Sequence, residues 1–155
     1  MTNKSQFDDM VALSKRTLVE LGADPSQITF AVADPAMNAS YYTPLAKSIS
    51  FAPYGPDNEH YRRYAAIHEA VHAAIAIGAV QPCEPDCNGG HGPTLNTITN
   101  SLAKKFFGYA IETDRPIYDP LLLLMGLRRP IPGQAYPSRI LKEGKVLWET
   151  TSENW

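Results

Sequence analysis

The segment His68-Glu69-Ala70-Val71-His72 concentrates more chemistry than any other in this sequence. Histidines at i and i+4 project from one face of a helix. Two imidazoles so placed can reach a single metal ion at about 2.0–2.1 Å each, as zinc requires. Glu69 stands beside the first of them, where a carboxylate can take the proton of a water made acidic by the metal. Two partly buried histidines bonded to core carbonyls would leave the same trace, so the third ligand carries the decision.

A catalytic zinc site takes three protein ligands and keeps one position open. The metzincin spacing needs Gly at 75 and His at 78, and those positions hold Ile75 and Gly78. An acidic third ligand on another helix has only weak candidates, Glu112 and Asp114. His91 is stronger. It lies in Asn88-Gly89-Gly90-His91-Gly92-Pro93, where glycines on both sides let the backbone turn back toward a metal, and Pro93 then opens a helix. Cys83 and Cys87 bracket Glu84-Pro85-Asp86 and read Cys-x3-Cys-x3-His with His91. They are either ordinary loop thiols, the favoured reading, or part of a structural zinc site that would claim His91. Tyr54, Tyr61, Tyr64, Tyr109, Tyr118 and Tyr136 include candidate hydrogen-bond donors to a transition state, and the sequence does not choose among them.

The elements that must position these groups follow from periodicity. Residues 6–21 space Phe7, Met10, Val11, Leu18 and Leu21 as an amphipathic helix stopped by Gly22. Residues 28–33 and 47–52 read as strands, the second an edge available to an extended substrate. Asp57 or Asn58 caps the motif helix, which runs to about Gly78. Its alanines 65, 66, 70, 73 and 74 are strong helix formers. Residues 79–93 read as loop. Residues 94–107 return to helix, with Leu95, Ile98, Leu102 and Phe106 on one stripe. Residues 119–127 read as a short helix whose Leu121–Met125 run is core or a packing surface, becoming an interface if exposed. Residues 140–148 read as a hairpin about Glu143-Gly144.

At 155 residues the prior is one domain covering 1–155. Its motif-bearing core is about 48–107. Five of the 13 prolines fall after residue 115, which predicts a Pro-rich extension over 108–155 with little regular structure. Fourteen basic against sixteen acidic residues give a net charge of -2, against the positive excess of a module held by phosphates. The pairs Arg62-Arg63, Lys104-Lys105 and Arg128-Arg129 read as solvated faces. Residues 1–10 lack a signal-peptide core and no apolar stretch spans a bilayer, so a soluble, cytoplasmic protein with no membrane partner is expected.

The Ile-Ser-Phe strand, the HEAVHAAI helix, GHGPTL and the helix after it, roughly Ser48 to Phe107, resemble the SprT-like (Spartan-type) zinc metalloproteases. The resemblance implies an α+β zincin-like domain, a small sheet packed on the HExxH helix and a second helix. It implies one zinc per chain on His68, His72 and His91, with Glu69 as catalytic acid/base. The sequence departs from that family where Thr94 and Leu95 replace its usual acidic residue and Phe. It also has neither the cysteines for a zinc ribbon nor a basic tail, so DNA binding is expected to be weak. The function implied is zinc-dependent hydrolysis of peptide bonds in a protein or peptide. The alternatives are a non-catalytic zinc-bearing interaction or DNA-repair module on the same fold, or hydrolysis of a non-protein amide.

Overall fold

The computed structural model describes residues 3–36, 39–52, 58–81 and 90–150. Helix α1 (Asn3–Glu20) turns out at Gly22, whose φ of 77° suits glycine, and Ala23 N–H closes on the Leu18 carbonyl at 2.8 Å. Helix α2 (Glu59–Ala76) starts at Asn58, whose Oδ1 accepts from the N–H groups of His60 and Tyr61. Helix α3 (Pro93–Phe107) has proline in its first turn and Gly108 at φ 73° past its end. A single 3-10 turn (Pro25–Gln27) leads into the first sheet.

That sheet contains β1 (Thr29–Val32), β2 (Tyr41–Thr43) and β3 (Ser48–Phe51) in the order β1-β3-β2. β1 runs parallel to β3 and β2 antiparallel to it, with Phe30 and Tyr42 both registered on Ile49. The expectation that 47–52 forms an edge is therefore corrected. β3 is bonded on both sides and is the most buried strand of the three, Ile49 and Phe51 being fully buried.

α2 is the axis of the molecule, because its two faces carry two different cores. The small face, Ala66, Ala70, Ala73 and Ala74, meets Met10 and Leu18 of α1 and Ile49 and Phe51 of β3. The larger face, Ile67, Val71 and Ile75, meets Leu95, Leu102 and Ala103 of α3 together with Tyr109 and Ile140. The alanines let α1 approach until Ser14 Oγ–H donates to the Ala66 carbonyl at 2.6 Å. Ala66→Leu, placing three extra carbons in this contact, is expected to cost about 1–3 kcal/mol of stability, read by urea denaturation.

The C-terminal third departs most from expectation. In place of an irregular extension it holds β4 (Ala110–Glu112), β5 (Arg115–Tyr118), α4 (Pro120–Leu124), β6 (Pro130–Tyr136), β7 (Arg139–Lys142) and β8 (Lys145–Glu149). β4, β7 and β8 form an antiparallel sheet, and β5 and β6 a separate two-stranded ribbon. Prolines signalled breaks, yet Pro116, Pro130 and Pro132 sit in the ribbon, where each strand has a side with no ladder and a missing N–H costs little. The β7–β8 hairpin is as expected, turning through Glu143 and Gly144 at φ 52° and 78°. The Leu121–Met125 run is not core: α4 connects the two ribbon strands at their far end, and its side chains are largely exposed. No helix among the described residues is long and apolar enough to cross a membrane.

Candidate metal centre

His68 and His72 leave α2 one turn apart with ring centroids 4.8 Å from each other. His91 arrives from the segment that enters α3, and its ring centroid lies 5.2 Å from that of His68 and 5.0 Å from that of His72. One nitrogen from each of the three rings lies within 4.8 Å of the other two, close enough for one metal ion. Among the described residues no other group of His, Cys, Asp and Glu converges in this way.

The position of His91 is built by the ribbon and by the entry to α3, where Gly92 is extended at φ -96°. Its N–H donates to Gln134 Oε1 at 3.2 Å, and its carbonyl accepts from Ala135 N–H at 3.0 Å. Asn96, on the first turn of α3, donates from Nδ2 to the carbonyls of both His91 and Ala135 at 2.9 and 3.1 Å. Tyr136 packs its ring on His91 at 4.7 Å, and the Arg115 guanidinium lies 4.9 Å from the Tyr136 ring centre. Arg115 and Tyr136 are cross-strand partners in the ribbon. Thus β6 clamps the third histidine through three successive residues.

The electrostatics suit neutral ligands. Burial holds His68 well below the usual imidazole range, and its neighbours His72 and His91 push it further down. His72 is lowered to about 4, by burial and then by His91. Neutral imidazoles keep the lone pairs that a metal needs. His68 Nδ1 lies 3.0 Å from the Tyr64 hydroxyl, leaving Nε2 for the cluster. Its partner is thus a phenol in the outer shell of the site, not a core carbonyl. The donor set fits a borderline-soft divalent cation such as zinc.

Glu69 is 7% exposed, as is His68. Its Oε1 lies 3.7 Å from His68 Nε2, and burial raises its carboxyl to about 8. With one partner a neutral imidazole and the other a raised carboxyl, this contact is not an ion pair.

Every expected ligand histidine is therefore in the cluster, and Glu69 is beside it. Glu112 is not available: Arg139 grips both its oxygens at 2.7 and 2.9 Å. Asp114 does not join either. Cys83, Cys87 and Tyr54 lie outside the described residues. Among the other tyrosines, Tyr109 binds His60 and Arg63, Tyr61 packs on Trp148, and Tyr118 lies under Arg128. Tyr64 and Tyr136 touch histidine rings of the cluster. Asn96, Arg115 and Gln134 were not singled out by sequence, since their contacts join segments distant in the chain.

An outer-shell partner fixes the tautomer of a ligand histidine, and losing one typically costs 10–100-fold in metal affinity. Tyr64→Phe, which removes one oxygen from a buried side chain, is expected to weaken metal binding by roughly tenfold. Chelator competition on the purified protein measures it.

Searches against protein-family models, curated proteins and solved structures each return no match.

Proposed function

We propose that this protein is a zinc-dependent peptidase of zincin type. The observation that supports it is one cluster: three imidazoles converging within 4.8 Å, with a buried carboxyl at the first of them. The HExxH helix and the His-Gly-Pro entry to α3 make a SprT-like zincin the family reading that fits best.

His68, His72 and His91 would hold the ion. Zinc bound there supplies Lewis acidity, polarising a scissile carbonyl and lowering the pKa of water. Glu69 does the proton work. Its apolar surroundings raise its proton affinity, so it can take a proton from the attacking water and return it to the departing amine near neutral pH. Beside a cation its pKa falls from the value of about 8 toward neutrality. Tyr64 orients His68, while Asn96, Gln134 and Ala135 orient His91. Tyr136 lines the side of the cluster contributed by the ribbon, with Arg115 against its ring, where a substrate's developing charge would meet a polar group.

The burial of His68 and Glu69 favours a second reading, a metal site that stabilises an interaction module without turnover. Incubation with casein separates the two. A peptidase cleaves casein or itself, stops on chelation and resumes with added zinc. A module binds zinc in the same assay and releases no peptides.

A further inference from the structure

The part of the molecule unlike ordinary protein surface is the far end of the β5–β6 ribbon. There Leu121 is 72% exposed, Leu124 86% and Met125 73%, and Leu123 and Leu127 are exposed as well. Exposed apolar groups scattered singly need no explanation, but a contiguous set of this size does.

Three features decide what medium suits this tip. First, the apolar exposure is not a stripe. Successive helical residues are about 100° apart, so Leu121, Leu123, Leu124 and Met125 point to several sides of α4. A protein groove takes one face of a helix and leaves the rest in water, whereas lipid surrounds all of it. Second, the base of the tip has the composition of a membrane interface. Tyr118 lies beneath the Arg128 guanidinium at 4.8 Å, and Arg129 follows. An aromatic ring with two cations is the pairing that settles at headgroup depth and attracts anionic lipid. The single carboxylate of the segment, Asp119, caps α4 through Leu121 N–H and leaves two arginines against one acid, a formal net charge of +1. Third, a standard protein interface engages about 20–30 residues a side, and this tip is one short helix with its closing turn.

We infer that the α4 tip is a lipid-surface anchor: Leu121, Leu123, Leu124, Met125 and Leu127 enter the headgroup–acyl boundary of an anionic membrane, with Tyr118, Arg128 and Arg129 as the collar. Such elements sink about 5–10 Å without crossing the bilayer, in keeping with the absence of a spanning helix among the described residues. β6 runs from this tip to the metal cluster. Across the ribbon, Tyr118 of the collar stands three residues from Arg115, whose partner Tyr136 packs on His91, so about 10 Å of strand separates collar from cluster. The inference does not depend on whether the metal cluster is catalytic.

The test is flotation of the full chain with vesicles of phosphatidylcholine containing about 30% phosphatidylserine, beside vesicles of phosphatidylcholine alone. Wild-type protein is expected to float with the anionic vesicles. Leu121→Ser combined with Leu124→Ser and Met125→Ser is expected to weaken this by at least roughly tenfold, with far-UV circular dichroism and metal content unchanged because these side chains are exposed. Arg128→Glu with Arg129→Glu should abolish the preference for the anionic vesicles. Leu124→Trp should shift its added tryptophan emission to the blue on binding. Wild-type protein that stays in solution, or a serine variant that floats as well as wild type, would overturn the inference. So would a wild-type dimer in sedimentation equilibrium that the serine variant dissociates, since the tip would then be covered by a second copy.

Discussion

Glu69→Gln is expected to leave the fold and the metal in place and to lower casein cleavage by roughly 10³-fold. Glutamine has nearly the same shape as the carboxyl and fits the same buried position. It cannot accept and return a proton, so both water activation and protonation of the leaving amine fail together. The loss belongs in kcat, because Glu69 is not one of the three ligands and substrate binding does not need its proton. Burial raises the wild-type carboxyl from 4.5 to about 8, so at neutral pH folding must protonate it, a cost that glutamine does not carry. The metal-free variant should therefore be at least as stable as wild type, which distinguishes a chemical loss from an unfolded protein. Cleavage at the wild-type rate would remove Glu69 from the mechanism.

His91→Ala is expected to lower zinc affinity by more than roughly 100-fold, since losing even an outer-shell partner costs 10–100-fold. Two histidines of α2 are left, and two ligands do not hold a catalytic zinc. The backbone at 91 has its own anchors in Gln134, Ala135 and Asn96, so it keeps its position without the imidazole. Cys83→Ser with Cys87→Ser should leave one zinc per chain. Metal content by mass spectrometry on these variants reads both results. Loss of the ion with the cysteines, and its retention in His68→Ala, would assign His91 to a structural site.

The candidate site was legible where its geometry is local. The i, i+4 spacing of His68 and His72 fixes their common face once the helix forms, and the eleven buried positions of α2, 64–71 and 73–75, follow from that helix lying between two cores. His91 was legible through its glycines and Pro93. What holds His91 was not. Gln134 and Ala135 meet it across some forty residues of chain, and Asn96 closes the clamp only because β6 lies there. The central place of β3 was hidden for a similar reason, since its second partner, β2, is three residues long and has no readable period. The prolines after 115 misled because a breaker in a central strand is harmless in a two-stranded ribbon. In α4 the leucines announced apolar character but not burial, which depends on what stands opposite them.

A crystal structure of zinc-supplemented protein with anomalous data at the zinc edge tests the central claim most directly. The expected result is one anomalous peak per chain, about 2.0–2.1 Å from one ring nitrogen of each of His68, His72 and His91, with His68 bound through Nε2 and the Glu69 carboxylate facing the open position. A peak held by Cys83, Cys87 and His91, or no peak at the three histidines, would contradict it.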